Sequence, residues 1–223
     1  MVSKKRAQPS EEVSSPRGLA VVISAPSGAG KTSLLFELFE RHPEVLFSVS
    51  ATTRPARAGE RDGINYHFTS PEEFERLRDS GMLLEWNEVH GNHYGTLKEP
   101  FFTAIEEGKT IILDTDTVGA FNIRRAFPDA VLVFIVPPSP AVLRDRLAKR
   151  NTETPERIRQ RLASYPTEIG KMEKFDYIIV NDDLTEAVER FAAIIEAERS
   201  KSHRMIETLT EWRNYRDGRI EHS

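Results

Sequence analysis

Hydrophobic and polar positions along this 223-residue chain fall into short, wholly apolar runs separated by stretches of helical period. The run Leu19-Ala20-Val21-Val22-Ile23 has no polar position, which predicts a strand buried on both faces. Thr32–Arg41 then repeats apolar residues at Leu34, Leu35, Leu38 and Phe39, a helical stripe closed by Pro43. Further strands are predicted at Leu46–Ser50, Thr110–Asp114, Ala130–Val136 and Tyr177–Val180. Helices are predicted at Glu99–Glu107, Gly119–Ala126, Pro140–Arg150, Pro155–Ile169 and Leu184–Glu198. Between Ala51 and Gly95 the pattern shortens: strand-like pieces near Tyr66–Phe68 and Leu83–Val89 flank a helix Pro71–Ser80 with Ser70 as its N-cap.

Alternating strands and helices predict an α/β fold, a parallel sheet flanked by helices. Residues 18–50 and 97–198 form the expected core, with a helical lid at about 140–170, and 51–96 form a small mixed lobe inserted into it. Residues 1–17 are expected to be a disordered arm and 199–223 a helical extension. In the extension, Met205, Ile206, Leu209, Trp212 and Tyr215 recur at spacings of three and four. That stripe is expected to pack on the chain's own core, or alternatively on a second subunit.

Composition acts mainly by exclusion. A net charge of −4 gives no electrostatic footprint for nucleic acid or a membrane surface, and the absence of cysteine removes thiol and disulfide chemistry. No apolar stretch has the length of a membrane span. The expectation is a soluble cytoplasmic protein, a monomer or small homo-oligomer.

Chemistry enters where the first strand ends. Ser24-Ala25-Pro26-Ser27-Gly28-Ala29-Gly30-Lys31-Thr32-Ser33 is a glycine-rich turn between a buried strand and a helix. That context is a phosphate loop: backbone N–H groups converge on phosphates, Lys31 reaches the β- and γ-phosphates, and the Thr32 hydroxyl binds Mg²⁺. Pro26 to Ser33 are therefore the expected ATP-binding residues. Ala25 stands where the usual pattern has its first Gly. Thr110–Asp114 is an apolar strand delivering a carboxylate at its end, suited to hold Mg²⁺ through water. Arg54 and Arg57 lie three apart in a turn-rich segment, and their guanidinium forks suit a monophosphate dianion; the alternative is a solvated loop pairing with Glu60 and Asp62. Arg146, Arg150, Arg157, Arg159 and Arg161 form a third basic group, suited to charge that migrates between phosphates, or else a solvated helix face.

Read together, Pro-Ser-Gly-Ala-Gly-Lys-Thr, Ser48-Val49-Ser50-Ala51-Thr52-Thr53-Arg54-Pro55-x-Arg57, Gly63-x-x-Tyr66-His67-Phe68, Glu85-Trp86, Gly91-Asn92-His93-Tyr94-Gly95-Thr96, Asp114-x-Asp116 and Val180-Asn181-Asp182-Asp183 closely resemble the guanylate kinases. The resemblance runs from about Gly18 to Ala197. It implies a P-loop NTPase-type nucleoside-monophosphate kinase using Mg-ATP, with GMP and dGMP as acceptors. It implies that Arg54, Arg57, Tyr66 and Tyr94 grip the acceptor phosphate with Glu60 beside them, and that Ser50, Glu85, Thr96 and Asp116 surround the base. It also implies catalytic roles for Lys31, Arg54, Arg146, Arg150 and Arg161, and a place for Asn181 at ATP. Asn151 replaces the Gly common in the lid motif, and Thr117-Val118-Gly119-Ala120 lacks the Gln often found before Gly-Ala. The competing class is a non-enzymatic scaffold domain of the same shape, in which the phosphate loop is typically degenerate; Lys31, Thr32 and Asp114 argue against it.

Overall fold

The computed structural model describes residues 18–89, 91–148, 165–217 and 219. In chain order these form β1 (Leu19–Ser24), α1 (Lys31–Arg41), β2 (Leu46–Phe47), β3 (Ala51–Thr52), β4 (His67–Phe68), α2 (Pro71–Asp79), β5 (Leu83–Val89) and β6 (Asn92–Leu97). There follow α3 (Lys98–Glu106), β7 (Thr110–Asp114), α4 (Thr117–Ala126), β8 (Val131–Val136), α5 (Pro140–Ala148), β9 (Tyr177–Val180), α6 (Leu184–Arg199) and α7 (Ile206–Arg216). The expected arm at 1–17 lies outside the described residues, as do Arg150, Asn151, Arg157, Arg159 and Arg161 of the expected lid.

The central sheet has the order β2-β7-β1-β8-β9, all parallel. Its inner strands β1 and β8 are buried at every position because both faces are covered. Leu19, Val21 and Ile23 of β1 pack with Leu34 and Leu38 of α1 and Val188 and Phe191 of α6. Ala20 and Val22 point the other way, into Phe101 and Ile105 of α3 and Ile123 of α4. β8 divides the same way, with Val131, Val133 and Ile135 in the first layer and Leu132, Phe134 and Val136 in the second. A period of two is thus preserved inside runs that look featureless in sequence.

A second sheet, β4-β3-β6-β5, pairs β3 with β4 in parallel and β6 antiparallel to both β3 and β5. The strand expected over Leu46–Ser50 is shorter: β2 stops at Phe47, and the chain crosses to the second sheet, where β3 begins at Ala51. β6 was not foreseen as a strand, since Asn92-His93-Tyr94-Gly95-Thr96 carries little apolar alternation. Gly95 is dictated by packing: a Cβ there would lie 2.9 Å from Leu83 Cδ1 and 3.1 Å from Phe74 Cζ.

Three of the five residues of the C-terminal stripe stand in solvent rather than buried in the chain's own core. Met205, Trp212 and Tyr215 are exposed, Trp212 to 64%, and the Trp212 and Tyr215 rings contact each other at 6.0 Å. The extension is instead anchored one turn earlier by a buried arginine. Arg204 donates to the Gly18 carbonyl at 2.9 Å and the Asp129 carbonyl at 3.0 Å, and its guanidinium lies 2.6 Å from the Asp129 carboxylate. Removing one partner from a buried, charge-assisted set of this kind costs about 3–5 kcal/mol. Arg204→Ala is therefore expected to lower the urea midpoint clearly, whereas cutting the chain after Met205 leaves it nearly unchanged. Equal midpoints for the two variants would contradict this anchoring.

Candidate functional site

Two neighbouring parallel strands bring the expected donor-side residues together. β1 and β7 pair in register with Ile23 opposite Asp114, so the loop leaving β1 starts beside the acid that ends β7. Within the loop, the Ala29 N–H donates to the Pro26 carbonyl at 3.1 Å, while Gly28 and Gly30 take φ of 92° and 89°. Left-handed backbone at both glycines curls the chain so that successive N–H groups converge. α1 then begins at Lys31 with Gly30 as its N-cap, no capping side chain and no acid in its first turn. Its orphan N–H groups and partial positive charge are left for an external anion. Ala25, the departure from the usual pattern, packs its methyl against the first core layer.

The loop is braced from behind. Asn181, buried at the end of β9, donates its Nδ2 to the Ala29 carbonyl at 2.8 Å, and Arg146 Nη1 donates to the Asn181 carbonyl at 3.0 Å. A Cβ on Gly30 would approach Asn181 Nδ2 to 2.4 Å, so glycine is required there for the brace as well as for its backbone conformation. Lys31 Nζ pairs with the Asp114 carboxylate. Thr32 and Ser33 are exposed at the start of α1. The Thr32 hydroxyl and the Asp114 carboxylate are hard oxygen donors beside the phosphate loop, which fits Mg²⁺, an ion that takes one or two protein oxygens and completes its shell with phosphate and water.

Next to Lys31 and Asp114 a cavity of about 300 Å³ opens toward the second sheet, with Ser50, Tyr66, Glu85, Tyr94 and Asp116 in its wall. Glu85 on β5 faces Thr96 on β6 in the strand register, and the Thr96 hydroxyl donates to Glu85 Oε1 at 2.9 Å. Glu85 Oε2 is buried and has no hydrogen-bond partner among the described residues. Burial pushes the Glu85 carboxyl up to about 7; the Asp116 charge adds to this and the Thr96 hydroxyl opposes it. Asp116 caps α4 through the Gly119 N–H at 2.7 Å. Burial, helped by the negative charge of Asp114, also pushes the Tyr66 phenol up to about 12, which keeps it a neutral O–H donor at working pH.

Neither Arg54 nor Arg57 is among the residues of this cavity's wall, although Arg54 packs on Tyr66, which is. Arg54 donates from Nη2 and Nη1 to the two Glu60 oxygens at 2.9 and 3.0 Å, and its guanidinium lies 5.2 Å from the Tyr66 ring centre and 5.8 Å from that of Phe68. Glu60 also accepts the Arg57 backbone N–H at 2.7 Å, while the Arg57 side chain is exposed. The carboxylate therefore orients Arg54. Thr96 reaches the cavity through Glu85 alone. Sequence reasoning missed Asn87, which lines the cavity and donates to Asp116; its signal was the period of two along Glu85, Asn87 and Val89. A larger groove of about 480 Å³ near Leu77, Met82, Leu97 and Phe102 is mostly apolar and lies away from the phosphate loop.

One family, described as guanylate kinase, matches by its sequence model over residues 17–198. A guanylate kinase from Symbiobacterium thermophilum is 48% identical over 200 residues, covering 88% of this chain and 95% of the relative. That from Carboxydothermus hydrogenoformans is 42% identical over 189 residues, covering 85% and 93%. The crystal structure of guanylate kinase from Anaplasma phagocytophilum superimposes with a TM-score of 0.69 at 35% identity, covering 85% of this chain and 90% of that one.

Proposed function

The chain belongs to the guanylate kinase family and phosphorylates GMP to GDP with ATP, and we infer that it binds guanine against Glu85 and ATP on the Pro26–Ser33 loop. The observation that supports this most is the buried, unpartnered Oε2 of Glu85 beside the Lys31–Asp114 pair. An isolated buried carboxylate is costly unless a ligand brings donors to it. Guanine presents N1–H and an exocyclic amine side by side, which a carboxylate accepts together. Adenine presents an acceptor at N1, which Glu85 repels. The Ser50 hydroxyl serves O6, and Thr96 steadies Glu85 from behind. None of these contacts involves the sugar, so dGMP is accepted as well.

At the acceptor phosphate, Tyr66 and Tyr94 donate their hydroxyls while Arg54, held by Glu60, and Arg57 supply charge. Closure of the lobe brings Arg57 in from its exposed position. On the donor side the loop N–H groups hold the phosphates, and Lys31 leaves Asp114 for the γ-phosphate. The acceptor phosphate oxygen attacks the γ-phosphorus in line, the bond to the bridging oxygen breaks, and ADP departs with the electron pair. Thr32 and Asp114 would hold the Mg²⁺ that accompanies ATP, which would neutralise charge on the phosphates. Arg146, Arg150 and Arg161 add charge on the lid side, where positioning and electrostatics provide the catalysis.

The raised Glu85 carboxyl makes this testable by pH. GMP requires the ionised form, while the free protein holds the proton below about 7. GMP affinity is thus expected to weaken as pH falls through 7, by up to roughly tenfold per pH unit. Binding near pH 7 then releases a fraction of a proton, read as a buffer-dependent enthalpy in calorimetry. The GMP phosphate titrates near 6 in its own right, so the step assigned to Glu85 is the part that Glu85→Gln abolishes. Identical profiles for the two proteins would contradict guanine binding at Glu85.

A further inference from the structure

Asn87 lies on β5 two residues beyond Glu85, lines the same cavity and is only 9% exposed. Its Nδ2 donates to Asp116 Oδ1 at 2.9 Å, the oxygen that also accepts the Gly119 N–H at 2.7 Å. One carboxylate oxygen is therefore held from two elements, β5 and α4, while Oδ2 remains the open acceptor among the described residues. A buried polar side chain on a strand needs such a partner, and an apolar residue is the ordinary occupant of such a position.

The chemistry of guanine gives this arrangement a purpose. Its edge carries three N–H hydrogens, one on N1 and two on the exocyclic amine. Glu85 accepts N1–H and the nearer amine hydrogen, which leaves the other amine hydrogen to be met by a further acceptor in the cavity wall. We propose that Asn87 is a positioning residue that fixes the Asp116 carboxylate so that Oδ2 accepts the remaining amine hydrogen, thereby setting the discrimination between guanine and 6-oxopurines without that amine. The amide suits this place because it donates without charge. A carboxylate there adds a third negative group to Glu85 and Asp116, and alanine leaves Asp116 held by the helix cap alone.

This role rests on guanine binding at Glu85, and the test separates the two. KM and kcat for GMP and for IMP, which is GMP without the amine, are measured at saturating ATP for the full chain, Asn87→Ala and the isosteric Asn87→Asp. Asn87→Ala is expected to raise KM for GMP roughly tenfold, the size of one charge-assisted hydrogen bond. IMP constants, kcat and KM for ATP should stay within about twofold. The preference for GMP over IMP then falls by the factor lost for GMP alone, which a merely structural change does not produce. Asn87→Asp, with unchanged volume, is expected to raise KM for GMP at least as far. An unchanged GMP-to-IMP ratio in Asn87→Ala, or equal losses on both substrates, overturns the role of Asn87. A wild-type chain inert on GMP overturns guanine binding at Glu85 and this role with it.

Discussion

Lys31→Met is expected to lower kcat for GMP phosphorylation by roughly 10²–10³-fold or more, the scale for removing one preorganised charge or donor from a transition state. GMP binding should survive, because the lysine meets the donor phosphates while base recognition is built on β5, β6 and the start of α4. Stability should hardly change either. The Lys31–Asp114 pair keeps about a fifth of the lysine side chain and a quarter of the aspartate side chain in solvent, and partly exposed pairs contribute about 0–1 kcal/mol. The measurement is steady-state kinetics beside a thermal melt and GMP calorimetry. A fully active Lys31→Met would mean that the glycine-rich loop does not hold the donor.

Glu85→Gln separates function from stability in the opposite sense. The amide accepts one guanine hydrogen but turns its own N–H toward the next, so kcat/KM for GMP should fall by roughly 10²-fold with KM for ATP unmoved. The folded protein should nevertheless gain stability at pH 8. With the folded carboxyl raised from 4.5 to about 7, its ionised form costs the folded state on the order of 3 kcal/mol above pH 7. That cost is absent below about 4.5, where folded and unfolded chains are both protonated, and grows as pH rises to 7. The stability difference between Gln and Glu proteins should therefore open across that window. A loss of stability at pH 8 would show that Glu85 supports the fold rather than the ligand.

What the sequence disclosed follows from how locally each feature is determined. β1 and β8 were legible because burial on both faces leaves no room for polar positions, and the phosphate loop because its glycines and lysine act within one turn. Asn181 was visible as a motif residue, but its hydrogen bond to Ala29 joins residues 152 apart in the chain and could not be read from neighbours. β6 was hidden because Gly95 answers to Leu83 and Phe74 on other elements. Arg204 was not singled out, for the same reason. Beside an apolar stripe it reads as an ordinary helix residue, yet it is the buried anchor, and the stripe it precedes is left largely in solvent. Asn87 stood in plain view between two motif residues, with only the period of the strand to mark it.

The central claim is that one carboxylate-walled cavity beside a phosphate loop selects guanine for phosphorylation. A coupled assay of ADP release with Mg-ATP and, in turn, GMP, dGMP, AMP, CMP and UMP tests it most directly. Rapid turnover with GMP and dGMP, and rates near background with the other three, is the predicted result. Comparable turnover with AMP, or no acceptor-dependent ADP release with GMP, would contradict it.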